Sequence, residues 1–303
     1  TDFTLTDFDE DSSLPGNETI DTVTLNSATG VDGATTANVG AYVGEIEITV
    51  ESVSNGFDFN NYDLSYVRGD LVVNQRAVTV TALPQERIYG EVMVLDNTAF
   101  TVTDLDGDTT LPNGEVIDTV ALNGVNGVDI ATTANVGTYA EEIAITSQSG
   151  SNGFEAGNYE LTYVTGDLTV NQRAVTVTAL QQERSYGDTL VLDETAFTVT
   201  DLDGDSVLPN GELIDTVALN SVTGVDVSTT VDLGNYADEI EITGQAGSNG
   251  FDAANYNLTY VAGDLVVVGR SYEVWIQSFL ESGEIELLDD PDLDGLTNLM
   301  EYV

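Results

Sequence analysis

The chain repeats at intervals of 97 residues without an insertion or deletion. Arg76, Arg173 and Arg270 are 97 apart, as are Tyr42, Tyr139 and Tyr236 and the acidic runs Asp7-Phe8-Asp9, Asp104-Leu105-Asp106 and Asp201-Leu202-Asp203. A strict period of this length marks tandem copies of one small unit stacked in series. Near-identical units serve length, stiffness or multivalency better than they serve one specialised pocket. The period divides the chain into 1–75, 76–172 and 173–269, followed by a tail, 270–303, that does not repeat. Copy one matches 98–172 position by position, so the equivalent of Arg76–Asn97 falls before Thr1. Either the chain begins partway through a longer protein, or the missing strand comes from another subunit.

Within copy two, Ala77-Val78-Thr79-Val80-Thr81-Ala82 alternates apolar and polar residues, which is the pattern of a half-buried strand. Strands are also expected over 100–103, 117–122, 142–146, 159–164 and 168–170. Between them lie Pro112-Asn113-Gly114 and Gly150-Ser151-Asn152-Gly153, clusters that turn the chain. About seven short strands in a copy, with no helical period, predict an all-β protein built of tandem immunoglobulin-like β-sandwich repeats. The recurring tyrosines, Tyr89, Tyr139 and Tyr159 among them, read as core residues whose hydroxyls tie down loops; exposed, they read as stacking platforms for sugar.

The 303 residues carry 53 Asp plus Glu against six basic residues, all arginine, for a formal charge of −47. Such a chain has no basic patch with which to grip nucleic acid or anionic lipid. Self-repulsion at this density opposes compaction, so divalent cations are one expected counterweight; a merely solvated acidic surface is the other. With 41% hydrophobic residues, 13 Tyr and 9 Phe, the chain has the material for packed cores and is not disordered. The absence of Cys, His and Lys removes disulfides, thiolate metal sites, lysine isopeptide cross-links and the usual catalytic bases and nucleophiles. No apolar run reaches the roughly 18 residues that a membrane span needs.

The order strand, Tyr-Gly, long acidic turn, Val-Gly-Thr-Tyr, then Asn158-Tyr159-Glu160-Leu161-Thr162-Tyr163-Val164 and Gly166-Asp167-Leu168-Thr169-Val170 resembles the MBG domain of YGX type. The resemblance runs over residues 1 to 268. It implies a stalk or adhesin repeat of a secreted or surface-anchored bacterial protein, extracellular and without catalytic residues.

In the tail, Asp290, Asp292, Asp294, Asn298 and Glu301 fall at loop positions 1, 3, 5, 9 and 12, with Gly295 at position 6. This is the oxygen-ligand spacing of an EF-hand calcium loop, and Leu296 would add its carbonyl at position 7. Thr297 departs from the aliphatic residue usual at position 8. Tyr272, Trp275, Ile276 and Phe279 stand at i, i+3, i+4 and i+7, so a short helix–calcium loop–helix segment is expected from 270 to 303. The tail resembles single calcium loops of dockerin or thrombospondin type-3 kind.

The copies carry a related spacing. Asp7, Asp9, Asp11 and Glu18, then Asp104, Asp106, Asp108 and Glu115, then Asp201, Asp203, Asp205 and Glu212 all stand at 1, 3, 5 and 12, but position 6 is Ser or Thr where the loop needs Gly. Bound calcium and a solvated acidic turn are both open readings of these sets. Asp118, Asp129, Glu142 and Asp167 also recur and are candidates to complete such a site.

The expected function is therefore non-enzymatic: a calcium-rigidified structural segment of a stalk, adhesin or filament. Its partners would be other domains of a longer chain or other copies of the same protein. The alternative is a calcium-dependent module that binds glycan or a cell-surface receptor. The enzyme reading is left with paired carboxylates of glycosidase type, or Ser and Tyr without a partner, and a catalytic pair should be unique where these acids repeat.

Overall fold

The computed structural model describes residues 3–7, 9–10 and 12–270. Asp11 and the tail after Arg270, with the expected helix at Tyr272–Phe279 and the loop residues Asp290, Asp292, Asp294, Leu296, Asn298 and Glu301, lie outside the described residues. Within them the protein is all-β, with short 3-10 turns and no α-helix.

Copy one contributes β1 (Thr19–Ser27), β2 (Gly40–Ser54) and β3 (Gly69–Val73). Copy two contributes β4 (Arg76–Ala82), β5 (Gln85–Ile88), β6 (Phe100–Asp104), β7 (Val116–Gly124), β8 (Gly137–Ser151), β9 (Tyr159–Val164) and β10 (Gly166–Asn171). Copy three follows with β11 (Arg173–Ala179), β12 (Gln182–Ser185), β13 (Phe197–Asp201), β14 (Leu213–Ser221), β15 (Gly234–Ser248), β16 (Tyr256–Val261) and β17 (Gly263–Val268).

Copy three is a sandwich of a three-stranded sheet, β13-β11-β16, and a four-stranded sheet, β12-β17-β15-β14; copy two repeats both orders as β6-β4-β9 and β5-β10-β8-β7. The first strand of copies two and three is central: β11 runs antiparallel to β13 and parallel to β16, with Val175 opposite Asp201 and Leu258. The alternation read from the sequence decides which face is buried. Val175, Val177 and Ala179 are 2, 0 and 3% exposed, and Leu265 and Ile240 on the facing sheet are fully buried. Each such aliphatic side chain contributes roughly 1.5–3 kcal/mol on burial.

The equivalents of β6 and β9 in copy one are Phe3–Asp7 and Tyr62–Val67, and neither is a strand. Copy one keeps its other sheet, β1-β2-β3.

The chain forms two compact units: Thr1–Gln85 with Leu95–Gly127 and Ala140–Leu168, and Glu86–Val94 with Val128–Tyr139 and Thr169–Val303. These do not follow the sequence period. The second unit takes the turn after β5 and the loop before β8 from copy two together with copy three.

Two irregularities recur at the period. A bulge leaves Asp21, Asp118 and Asp215 unmatched in β1, β7 and β14. Mid-way along the long strands, Gly44, Glu141 and Asp238 adopt φ of +68°, +57° and +54°. Their N–H groups donate to Asp70, Asp167 and Asp264 at 2.8, 3.0 and 3.1 Å. Asp167 is thus an anchor for a strand kink, and Asp118 a bulge residue.

Candidate functional site

The feature built most carefully in both units is the joint between one copy and the next. In the first unit, Val39 N–H donates to Asn158 Oδ1 at 2.9 Å, Asn158 Nδ2 donates to Asn38 Oδ1 at 3.1 Å, and Asn113 Nδ2 donates to the Thr35 carbonyl at 2.9 Å. In the second unit the same bonds recur 97 residues on: Val136 N–H to Asn255 at 2.9 Å, Asn255 to Asn135 at 3.1 Å, and Asn210 to Thr132 at 3.2 Å. Gln75 and Gln172, the last residues before β4 and β11, donate to backbone carbonyls at 157 and 254. A hydrogen bond of this kind contributes about 1 kcal/mol net, and a buried polar group left without its partner costs about 1–3 kcal/mol. Asn255 is only 2% exposed, so its amide falls in the second category.

The Tyr-Gly pair belongs to this joint. In the second unit the Tyr89 hydroxyl donates to Glu212, as does that of Tyr256 at 2.8 Å, and the two rings meet edge to face at 5.5 Å. Burial and the nearby Glu212 carboxylate push the Tyr89 phenol up to about 12, and the same two causes raise Tyr256. Gly90 has φ of +87°, and a Cβ there would meet the Pro209 side chain at 2.5 Å, so only glycine lets the turn approach the next copy. In the first unit a cleft of about 330 Å³ is lined by Arg76, Pro112, Asn113, Glu115 and Tyr159.

The scarce arginines hold defined posts. Arg173 is 5% exposed; its Nε and Nη2 donate to Asp201 at 3.0 and 2.7 Å, Nη2 also pairs with Asp203, and Nη1 reaches Glu91 at 3.4 Å. Arg76 grips Asp104 at 3.1 and 2.7 Å and also pairs with Asp106. The Arg76 contact holds the Asp104 carboxyl below its usual range; burial pulls Asp201 up, but Arg173 and two backbone N–H groups outweigh it and leave it lowered. Arg87 lies buried and donates to four carbonyls, those of Ile88, Glu91, Val128 and Ala131, at 2.7–3.2 Å, and Arg184 does the same in copy three.

This geometry places the acids expected to bind calcium. Asp104 Oδ1 accepts from the N–H groups of Asp106 and Asp108, both at 3.0 Å, while its other oxygen is on Arg76. Asp201 is bonded likewise to Asp203, Asp205 and Arg173. In copy one, Asp7 accepts from Asp9 N–H at 2.9 Å. The position-12 glutamates turn elsewhere: Glu18, Glu115 and Glu212 accept the hydroxyls of Tyr62, Tyr159 and Tyr256. In copies two and three the structure therefore brings positions 1 and 3 together on an arginine, and in all three copies it sends position 12 to a tyrosine. Among the described residues no group of three or more acids is arranged to hold a metal.

Glu142, one of the acids read as a candidate to complete a cation site, and its equivalents Glu45 and Glu239 are 0, 5 and 4% exposed and hold loops by hydrogen bonds. Each accepts from the loop that follows the preceding strand: Glu45 from Ser27 and Thr29, Glu142 from Asn126, Glu239 from Ser221 and Thr223. The Ser27 hydroxyl and Thr29 N–H hold the Glu45 carboxyl at about 2.

A chain built of β-sandwich copies joined through recurring side-chain contacts is a tandem repeat protein. The family described as MBG domain (YGX type) matches residues 78–169 and 175–266, more than half of the chain, and the chain belongs to that family. It is a structural, adhesin-type family found in surface proteins and not an enzyme family. No curated protein is matched. Among the described residues no helix is long and apolar enough to cross a membrane.

Proposed function

We propose that this chain is a non-enzymatic, load-bearing segment of an extracellular bacterial stalk, adhesin or filament, in series with further domains or further copies of the same protein. What supports the reading is the duplication of the joint: the same asparagine and glutamine contacts are made in each compact unit. A segment selected for reach needs its copies held, and side chains that bond to backbone across the joint hold them. Hydrogen exchange tests this directly. The Val39 and Val136 amides should be protected to nearly the level of the strand cores; exchange as fast as in a free peptide overturns the rigid-joint reading.

Calcium enters this proposal through the tail loop, Asp290 to Glu301. In copies two and three Arg76 and Arg173 already neutralise the leading aspartates, so calcium there has to compete with a guanidinium. Excess chelator should lower the melting temperature and speed proteolysis of the tail. An unchanged melt and digest removes calcium from the account.

One observation favours a second reading. Tyr66, Tyr163 and Tyr260 stand at the same place in each copy and are 49, 37 and 38% exposed. A periodic row of exposed aromatic rings suits a multivalent module that binds glycan or protein. Glycan-array binding that is lost in Tyr163→Ala with Tyr260→Ala supports it; no binding by the intact chain leaves the structural reading alone.

A further inference from the structure

Each copy presents a face to whatever follows it. On copy two this face carries Tyr89, 3% exposed, and the loop at Asn135 and Val136, and copy three covers both. The equivalent face of copy three carries Tyr186 and Leu233, which are 44 and 59% exposed. The two belong to one patch: Leu233 lies 4.0 Å from the position of a Gly269 Cβ, and the next residue, Arg270, donates to the Tyr186 carbonyl at 2.9 Å.

The chain path says what covers such a face. Copy two begins at Arg76 and bonds to the loop of copy one at Asn38 and Val39; copy three begins at Arg173 and does the same to copy two. Arg270 is the third residue in this series, and it is anchored to copy three through Asp188 at 2.7 Å, as Arg173 is to copy two through Glu91. The chain therefore leaves copy three at the point from which, twice before, it has turned onto the preceding face. The first ten residues after Arg270 include Tyr272, Val274, Trp275, Ile276, Phe279 and Leu280. Tyr272, Val274 and Ile276 stand at the period equivalents of Val175, Val177 and Ala179, which are the buried side chains of β11.

We propose that the segment beginning at Ser271 docks in cis on the Tyr186–Leu233 face of copy three, as a cap on that copy. Terminal elements of a repeat array need an apolar inner side and a polar outer one. The segment has both, since Glu273, Glu281, Glu284 and Glu286 are interspersed with the apolar residues.

Trp275 is the one tryptophan of the chain, so its fluorescence reports this segment alone. In the full 303-residue protein, acrylamide should quench Trp275 far less than it does in denaturant, and a red shift with quenching near the denatured level should follow from Leu233→Asp. Leu233 is an exposed residue in the bend before β15, so circular dichroism of the variant should match the parent. Trypsin should likewise cut Arg270–Ser271 faster in the variant. Quenching of the parent protein as free as in denaturant overturns the proposal. So does shielding that survives both Leu233→Asp and Tyr186→Ser, which places the segment elsewhere. Shielding that grows with protein concentration also overturns it, in favour of a second copy as the occupant.

Discussion

At the scale of single residues, the protein spends its few cations and its few buried carboxylates with care. Glu45 is held low by donated hydrogen bonds; Glu239 is pulled up by burial, yet the bonds from Ser221 and Thr223 win and leave it lowered. A carboxylate whose folded value lies below its unfolded one stabilises fully above the unfolded range, near pH 4.3, and loses that contribution as pH falls toward its folded value. The stability gap between the parent and Glu45→Gln should therefore be widest above pH 5 and narrow between about pH 4 and 2, read as the difference in urea midpoint. A constant gap would mean the carboxylate's charge plays no part. Little of this was legible beforehand. Asp104, Asp106, Asp108 and Glu115 have the spacing of a chelating loop, but the residue that holds the first two, Arg76, lies 28 positions earlier than Asp104. The available signal was that Arg76 and Asp104 recur together as Arg173 and Asp201 at the same separation.

At the scale of elements, alternation located the strands well and their irregularities poorly. β4, β6, β7, β9 and β10 lie where the apolar-polar pattern placed them, with ends shifted by one or two residues. β5 escaped notice because it has four residues, follows Pro84, and buries Arg87, a side chain that a pattern reads as solvent-facing. The kink of β8 at Glu141 was equally silent, since nothing local demands a left-handed glutamate. Copy one offers the comparison, because Gly44 stands at the same kink. A non-glycine residue in this conformation costs roughly 1–2 kcal/mol, of which glycine's own entropy returns about half. Glu141→Gly should raise the melting temperature by a few degrees and Glu141→Val should lower it by more, measured by calorimetry. Equal melts for both would show that the kink carries no strain. Where the pattern is buried the cost of error is larger: Ile143→Ala, in the same strand and fully buried, should destabilise by about 2–5 kcal/mol.

At the scale of the whole molecule, charge dominates. With 53 acids and six arginines, added salt has few attractive pairs to weaken and a great deal of repulsion to screen. The screening length falls from about 10 Å at 0.1 M to about 3 Å at 1 M. The melting temperature should therefore rise with sodium chloride across that range, and a fall would show that the arginine pairs outweigh the repulsion. The sequence by itself determined the period, the strand content, the absence of thiol and histidine chemistry, and the place of the chain among tandem β-sandwich repeats. Those properties depend on neighbours one or two residues apart, or on plain recurrence, and both are written along the chain. Only the tertiary structure decided that the Tyr-Gly turn is the lock of a joint, that Asp104 and Asp201 hold arginine, and that Glu142 pins a loop from inside. Each of these joins groups tens of residues apart in a low-dielectric setting, where the identity of the partner, and not the spacing of the acids, decides what a carboxylate does.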